Sequence, residues 1–125
     1  MEFAGYDLIG DVHGCARSLE QLLQQLGYQV RQGCYRHPSR QAVFIGDIVD
    51  RGTAVRESLQ LVRSMVDQDS AQILIGNHEY NCITYCEPAR SGSGRRYLRE
   101  HNPRHEQQIR QTLQQMNAYP DEWRD

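Results

Sequence analysis

The sequence predicts an α/β fold in which short parallel strands alternate with helices. Three short apolar segments, at 6–9, 42–45 and 73–75, are each followed by a glycine, which is typical of buried strands. Two stretches between them repeat apolar residues every three or four positions, as an amphipathic helix does. A strand–helix–strand–helix–strand order builds a parallel sheet with right-handed crossovers.

The two helices are predicted from their apolar stripes. The first helix precedes Gly27, a residue type that commonly ends a helix. The polar, turn-rich residues 28–41 then lead toward the second strand. The stripe residues are Leu19, Leu22, Leu23 and Leu26 in the first helix, and Val55, Leu59, Val62 and Val66 in the second.

The last third of the chain has a different character. Residues 91–94 read Ser-Gly-Ser-Gly and predict a flexible break. Asn102 and Pro103 predict a helix start, with the asparagine as its cap. A further element is predicted near Tyr119, with Asp121 as its cap. The helix after Pro103 has a thin apolar stripe of Ile109, Leu113 and Met116.

These patterns predict a single domain over 1–125, because a chain of this length has room for one ordinary core. Its motif-bearing βαβαβ core spans 5–87, and 88–125 form a linker and a helical, cap-like segment. The element near Tyr119 begins and is not finished, so we expect a truncated domain.

The composition excludes several classes of protein. Hydrophobic residues make up 38% and charged residues 24%, which is a soluble globular balance. The net charge of −2 argues against a general nucleic-acid binder. No apolar run approaches the roughly 20 residues that span a bilayer, and the N-terminus does not resemble a signal peptide. We therefore expect a cytoplasmic protein with no nucleic-acid or membrane partner.

The cysteines and the arginines each leave two interpretations open. The four cysteines are expected to be reduced thiols. Cys82 and Cys86 would share one face of a helix, as a soft metal site or, in the simpler interpretation, as two half-buried thiols. Residues 88–110 hold six arginines against two acidic residues, which form either a solvated face or an attraction for a phosphate-bearing substrate.

Each predicted strand ends in a glycine that is followed by potential metal ligands. The three clusters are Gly-Asp-Val-His-Gly at 10–14, Gly-Asp-Ile-Val-Asp-Arg-Gly at 46–52 and Gly-Asn-His-Glu at 76–79. In an open parallel sheet, ligands bind just beyond the carboxyl ends of the strands. All three clusters should therefore meet at one edge of the sheet.

The residue types in these clusters suit a hard or borderline divalent metal and a phosphate. Carboxylate, imidazole and amide oxygen ligands favour manganese, iron or zinc over copper(I). Asp11 and His13 could turn toward one ion from a short loop, and Asp47 could bridge two ions. Two metals roughly 3.5–4 Å apart would clamp a phosphate and activate a water. Glu79 is expected to start the following helix rather than to ligate.

Together the three clusters resemble the signature of the calcineurin-like metallophosphoesterases, GD-x-H-G, GD-x-VDRG and GNHE. The second and third motifs resemble the branch that holds protein serine/threonine phosphatases and symmetrical diadenosine tetraphosphatases. The opening at 6–15 and the segment at 37–45 look most like the bacterial members. The resemblance covers about residues 5–85 and implies the N-terminal half of the family's sandwich, followed by a helical segment.

The resemblance also implies a set of metal ligands and a cofactor. Asp11 and His13 would bind the first metal, Asp47 would bridge both metals, and Asn77 would bind the second. The cofactor would be two divalent ions, with manganese favoured over iron or zinc.

The same resemblance implies roles for three further residues. His78, paired with Asp50, would protonate or steady the leaving group, and Arg51 would hold the phosphate. A metal-bridging hydroxide would attack phosphorus in line. The chain would then be a dinuclear phosphoesterase that hydrolyses phosphate monoesters or dinucleoside polyphosphates, with phosphoproteins as a further substrate class.

The chain departs from the family pattern in its second half. The family has further histidine ligands there, including one in a Gly-His motif, and a second sheet. His101 and His105 match no family motif, so we expect surface roles for them. The alternative function is a non-catalytic, truncated relative that acts by metal or phosphate binding or by self-association into a homo-oligomer.

Overall fold

The structure, a computed structural model, describes residues 2–124. It alternates strands and helices along the chain, with three helices toward the C-terminus. The elements in chain order are β1 (Gly5–Ile9), α1 (Ala16–Gln25), β2 (Gln29–Arg31), β3 (Cys34–Arg36), β4 (Arg40–Phe44), α2 (Val55–Asp67), β5 (Ala71–Ile73), α3 (Asn77–Cys86), α4 (Pro103–Met116) and α5 (Pro120–Arg124).

The predicted parallel sheet is confirmed, with β4 in the centre. Its strand order is β1-β4-β5, and both pairings are parallel. Ile9 pairs with Phe44, and Phe44 pairs with Ile73. The predicted third strand at 73–75 overlaps β5 only at Ile73, because the ladder with β4 pairs Ala71 to Ile73 with Ala42 to Phe44.

The turn-rich stretch after Gly27 contains an antiparallel hairpin that the sequence did not predict. Strands β2 and β3 pair with Gln29 opposite Arg36. Gln32 and Gly33 connect them, both with positive φ, of 55° and 83°. The hairpin lacked a periodic signal because each strand has only three residues and all three of β2 are exposed.

One face of the sheet carries the main core. Buried residues of β1 and β4, such as Ile9 and Phe44, pack with Leu23 of α1 and Met65 of α2. Tyr6, Leu8 and Ile45 are 57%, 73% and 49% exposed. The sheet therefore buries one face, whereas Tyr6 and Leu8 of β1, and Ile45 directly after β4, keep exposed apolar side chains.

A second apolar cluster joins α4 to the rest of the molecule. Its buried members are Val49, Val55, Cys82, Tyr85 and Ile109. These residues come from the loop after β4 and from α2, α3 and α4. Helix α4 therefore packs directly against the segment that follows β4.

The N-termini of α4 and α5 show whether the two predicted N-caps, Asn102 and Asp121, are correct. Asn102 caps α4 as predicted, since its side-chain oxygen accepts a hydrogen bond from the backbone N–H of His105 at 2.8 Å. The prediction for Asp121 was wrong: α5 begins at Pro120, so Asp121 lies in the first turn. Proline suits a first helical position, because it has no N–H that would need a partner there.

All four cysteines are free thiols. Cys82 and Cys86 lie on α3, the first buried and the second half-buried, as in the simpler interpretation. Over residues 2–124, no helix has both the length and the apolar character needed to cross a membrane.

Candidate metal and phosphate site

The three glycine-led loops meet beyond the carboxyl ends of β1, β4 and β5. The backbone N–H of His13 donates to the carbonyl of Asp47 at 2.9 Å, and that of Gly52 donates to the carbonyl of His13 at 2.9 Å. The backbone N–H of His78 donates to the Asp47 carboxylate at 3.1 Å. Hydrogen bonds therefore connect the three loops, as expected for clusters at one edge of a parallel sheet.

Two glycines make this close approach of loops possible. A Cβ at Gly52 would lie 2.3 Å from the carbonyl oxygen of His13. A Cβ at Gly46 would lie 2.3 Å from the backbone nitrogen of Gly76, and the φ of Gly46 is +99°. No other residue type combines that backbone conformation with such close contacts.

Asp11, His13 and Asp47 form a group with the geometry of a metal site. One ligand atom of each lies within 4.8 Å of the others. The Nδ1 of His13 lies 2.9 Å from the carbonyl oxygen of Val49. Because a carbonyl only accepts hydrogen bonds, Nδ1 carries the proton and Nε2 keeps its lone pair for a metal. Two carboxylates and one oriented imidazole fit a hard or borderline divalent cation.

Asn77 lies beside this group at the start of α3. Its side chain is exposed, and its neighbour Gly76 packs against Asp47, since a Cβ there would lie 2.6 Å from the Asp47 Oδ1. The remaining histidines engage other partners. His37 accepts backbone N–H groups, and His101 and His105 contact the carbonyls of Tyr85 and Glu100.

The half-buried His78 and the buried Asp50 form a hydrogen-bonded pair. The Nδ1 of His78 lies 2.8 Å from Oδ2 of Asp50, whose side chain is 3% exposed. The carboxylate orients the imidazole and leaves its Nε2 available to a ligand. The His78 ring also meets the His13 ring edge-on, with centroids 4.5 Å apart. The pair therefore lies directly against the candidate metal group.

Arg51 belongs to the second cluster and points no polar atom at a described partner. Its side chain is exposed, and among the described residues it has no hydrogen bond or ion pair. An unengaged guanidinium beside the cluster can bind two phosphate oxygens at once.

The backbone at the site is unusual. Seven non-glycine residues among those described have a positive φ, and five belong to the clusters. Left-handed backbone is uncommon for residues other than glycine, although Asp and His adopt it more readily than most, and it concentrates at functional sites. The five are Asp11, His13, Asp47, Asp50 and Arg51.

Glu79 does more than the sequence indicated. It caps α3 as expected, because its Oε1 accepts the backbone N–H of Gly76 at 3.1 Å. The same carboxylate accepts the N–H groups of Asp47, Ile48 and Val49, at 2.6, 2.8 and 3.1 Å. From its position in the first turn of α3, the sequence predicted only the cap for Glu79. Its contacts with the loop after β4 could not be predicted, because that loop is about 30 residues away in sequence.

A thiol also touches the Asp50 carboxylate. The Sγ of Cys82 lies 3.5 Å from Oδ1 of Asp50. Burial, and then the nearby carboxylate charge, raise the pKa of Cys82 well above its ordinary value. The thiol therefore stays protonated and acts as a weak donor to the carboxylate.

The fold and the site together define an α/β protein with a candidate metal site at the carboxyl edge of a parallel sheet. The family model for the calcineurin-like phosphoesterase matches residues 6–123. The match covers most of the chain, so this chain belongs to the calcineurin-like phosphoesterase family.

Particular relatives are bacterial proteins named bis(5′-nucleosyl)-tetraphosphatase PrpE (asymmetrical). The chain is 49% identical over 73 residues to that of Oceanobacillus iheyensis, covering 58% of this chain and 29% of the relative. It is 45% identical over 74 residues to that of Halalkalibacterium halodurans, covering 58% and 30%. The matched region thus spans about 30% of these relatives. Their printed name is that of an asymmetrical enzyme, whereas the motifs resembled the branch that holds protein serine/threonine phosphatases and symmetrical diadenosine tetraphosphatases.

Proposed function

We propose that this chain carries the metal and phosphate site of a metal-dependent phosphoesterase that hydrolyses phosphate monoesters or dinucleoside polyphosphates. One observation carries the proposal: the Asp11, His13 and Asp47 group adjoins the His78–Asp50 pair, with the two imidazole rings 4.5 Å apart. A cation group and a proton carrier at that separation can act on the same phosphate.

The proposed metal ligands combine the observed donor group with the family resemblance. Asp11 and His13 would hold the first ion, Asp47 would contribute to both, and Asn77 would contribute to the second. Oxygen and imidazole donors suit Mn²⁺, Fe and Zn²⁺, and Mn²⁺ is the ion that we propose. When bound, such ions neutralise charge on phosphate oxygens and lower the pKa of a water.

The proton and the phosphate are handled by neighbouring side chains. The Asp50 carboxylate keeps Nδ1 of His78 protonated, so that Nε2 faces the leaving group. In the doubly protonated imidazolium Nε2 carries the proton that the leaving group takes, and in the neutral form Nε2 accepts a hydrogen bond. The Arg51 guanidinium binds two phosphate oxygens. The left-handed backbone at Asp50 and Arg51, with φ of 71° and 73°, sets where these side chains depart from the loop.

The names of the relatives support a dinucleoside polyphosphate as the substrate of this chain. Their printed names describe cleavage of such nucleotides. The arginine-rich residues 88–110 add positive charge that suits a multiply charged substrate. Arg90, Arg95 and Arg96 are exposed there, so they can reach an anion.

Hydrolysis assays with added Mn²⁺ test the proposal. We expect turnover of an aryl phosphate and of diadenosine tetraphosphate by the parent chain, and a loss of about 10²-fold or more in His78→Asn, the range of acid–base contributions. The matched control is His37→Asn, whose imidazole accepts hydrogen bonds from backbone N–H groups in a loop. Equal turnover in parent and His78→Asn would contradict the assignment.

A non-catalytic, metal-binding protein is the second candidate. It is favoured by the single three-donor group among the described residues and by the exposed apolar side chains of Tyr6, Leu8 and Ile45, which suit self-association. Mn²⁺ binding with no turnover of either substrate, together with a mass above that of one chain in solution, would support this candidate instead.

A further inference from the structure

Helix α4 places a buried hydroxyl against the candidate site. Thr112 is fully buried, and its Oγ1 donates to Oδ1 of Asp50 at 2.7 Å. The backbone N–H of Asp50 donates back to the same Oγ1 at 2.8 Å. A hydroxyl has one proton and two lone pairs, so both hydrogen bonds form at once. One side chain therefore fixes both the backbone and the carboxylate of Asp50.

These contacts determine how the carboxylate is turned. Its Oδ1 is engaged by Thr112 and by the Cys82 thiol, at 2.7 and 3.5 Å. Its Oδ2 lies 2.8 Å from Nδ1 of His78. With partners on both oxygens, the carboxylate cannot rotate without breaking a buried hydrogen bond.

Gln115, on the same helix, holds the residues that follow. Its Oε1 accepts the backbone N–H of Val55 at 2.6 Å, and its Nε2 donates to the carbonyl of Gly52 at 3.0 Å. Thr112 and Gln115 therefore hold the loop on both sides of Arg51. This arrangement supports a loop whose left-handed residues would otherwise relax.

We propose that Thr112 is a positioning residue, which turns the Asp50 carboxylate toward His78 and thereby keeps the histidine proton on Nδ1. Its consequence for catalysis rests on the proposed function, but its consequence for the His78 tautomer does not. The sequence motifs carry no sign of this role, because Thr112 lies 62 residues from Asp50.

The test measures the tautomer of His78 in the metal-free chain. Histidine ¹⁵N labelling and long-range ¹H–¹⁵N correlation distinguish Nδ1–H from Nε2–H, at a pH where the imidazole is neutral. The His78→Asn variant assigns the signal. We expect the Nδ1–H form in the parent and in Thr112→Ser, which keeps the hydroxyl. Thr112→Val, which keeps the shape and removes the hydroxyl, should shift the population toward Nε2–H.

Two comparisons keep this test decisive. Thr84→Val is the matched control, because the Thr84 hydroxyl donates to carbonyls of its own helix, Tyr80 at 3.0 Å and Asn81 at 3.2 Å, and has no other hydrogen-bond partner within residues 2–124. If Thr112→Val does not fold, Thr112→Ala is compared with Thr112→Ser. An unchanged His78 tautomer in a folded variant without the hydroxyl overturns the proposal.

Kinetics with Mn²⁺ separate this inference from the proposed function. We expect Thr112→Val to lower kcat by about tenfold with little change in KM, and Thr112→Ser to restore it. In an Asp50→Asn background, Thr112→Val should cause no further change in kcat. A shifted tautomer with no turnover in any variant would leave the positioning role standing and refute the proposed function. A normal kcat in Thr112→Val beside an active parent would refute the positioning role.

Discussion

The Glu79 carboxylate accepts the backbone N–H of Asp47 at 2.6 Å, which ties the first turn of α3 to the loop after β4. Two further N–H groups of that loop, from Ile48 and Val49, share the same carboxylate. A single side chain therefore holds the backbone of a candidate metal ligand in its left-handed conformation, with φ of 57°.

Replacing Glu79 should weaken both the fold and the metal site. Glu79→Ala leaves several loop N–H groups without an acceptor, at a cost of about 1–3 kcal/mol in the free energy of unfolding. Urea titration measures the loss. Glu57→Ala, on the exposed surface of α2, is the control and should change it by less than about 0.5 kcal/mol. Equal stability of the two variants would show that the Glu79 contacts are dispensable.

The glycine at position 46 should not tolerate a side chain. In Gly46→Ala the new Cβ would clash with the backbone of Gly76 and sit at φ of +99°, so we expect a loss of several kcal/mol, as for other strained core changes. Gly5→Ala is the matched control, since its Cβ would meet only the Arg40 side chain, at 3.9 Å. Thermal unfolding compares the two. A Tm for Gly46→Ala equal to that of Gly5→Ala would be inconsistent with the interlocked loops.

Metal affinity should depend on Asp11 and His13. Removing either ligand should weaken Mn²⁺ binding by at least about tenfold. Even the loss of a residue that only hydrogen-bonds to a metal ligand lowers metal affinity by about that factor. Isothermal titration of Asp11→Asn and His13→Gln against the parent measures the effect. His37→Gln should bind like the parent, because His37 lies outside the donor group. Unchanged affinity in both ligand variants would place the ion elsewhere.

The buried thiol on α3 predicts a pH dependence. Burial raises the pKa of Cys82 above its ordinary value of 9.0, so the folded state holds a proton that the unfolded state releases. The free energy of unfolding should therefore fall as the pH rises above about 9, and Cys82→Ala should reduce that fall. Denaturant titrations at pH 8 and pH 10 measure both slopes. A parent and a Cys82→Ala variant with the same slope would refute the thiol's contribution.

The cysteine thiols should differ in their reactivity toward an alkylating reagent. Cys15 is exposed, whereas burial raises the pKa of Cys82 and of Cys86. Because the thiolate is the reactive form, iodoacetamide at pH 8 should modify Cys15 well before Cys82. Mass spectrometry after a timed exposure identifies the modified residue. Rapid labelling of Cys82 in the folded chain would contradict its protonated, buried state.

Much of the architecture could be predicted from the sequence, because the strands and the Asn102 cap depend on residues that are close together in the chain. Strands that end in glycine placed Asp11 and Asp47 just beyond the carboxyl ends of β1 and β4, and the parallel arrangement then required them to meet. The cap at Asn102 was equally local, since its partner is three residues away. The chemistry of the cluster residues could therefore be predicted before their distances were known.

The tertiary structure decided what depends on distant partners. Pairing with β4 set the end of β5, and the folding of α4 onto the loop after β4 joined Thr112 to Asp50 across 62 residues. Hydrophobic periodicity reports which face of an element is buried, but not which polar atom meets it there. The sequence by itself indicated the family and the candidate donor residues. Only the packing of α3 and α4 decided how Glu79 holds the backbone of Asp47 and how Thr112 holds Asp50.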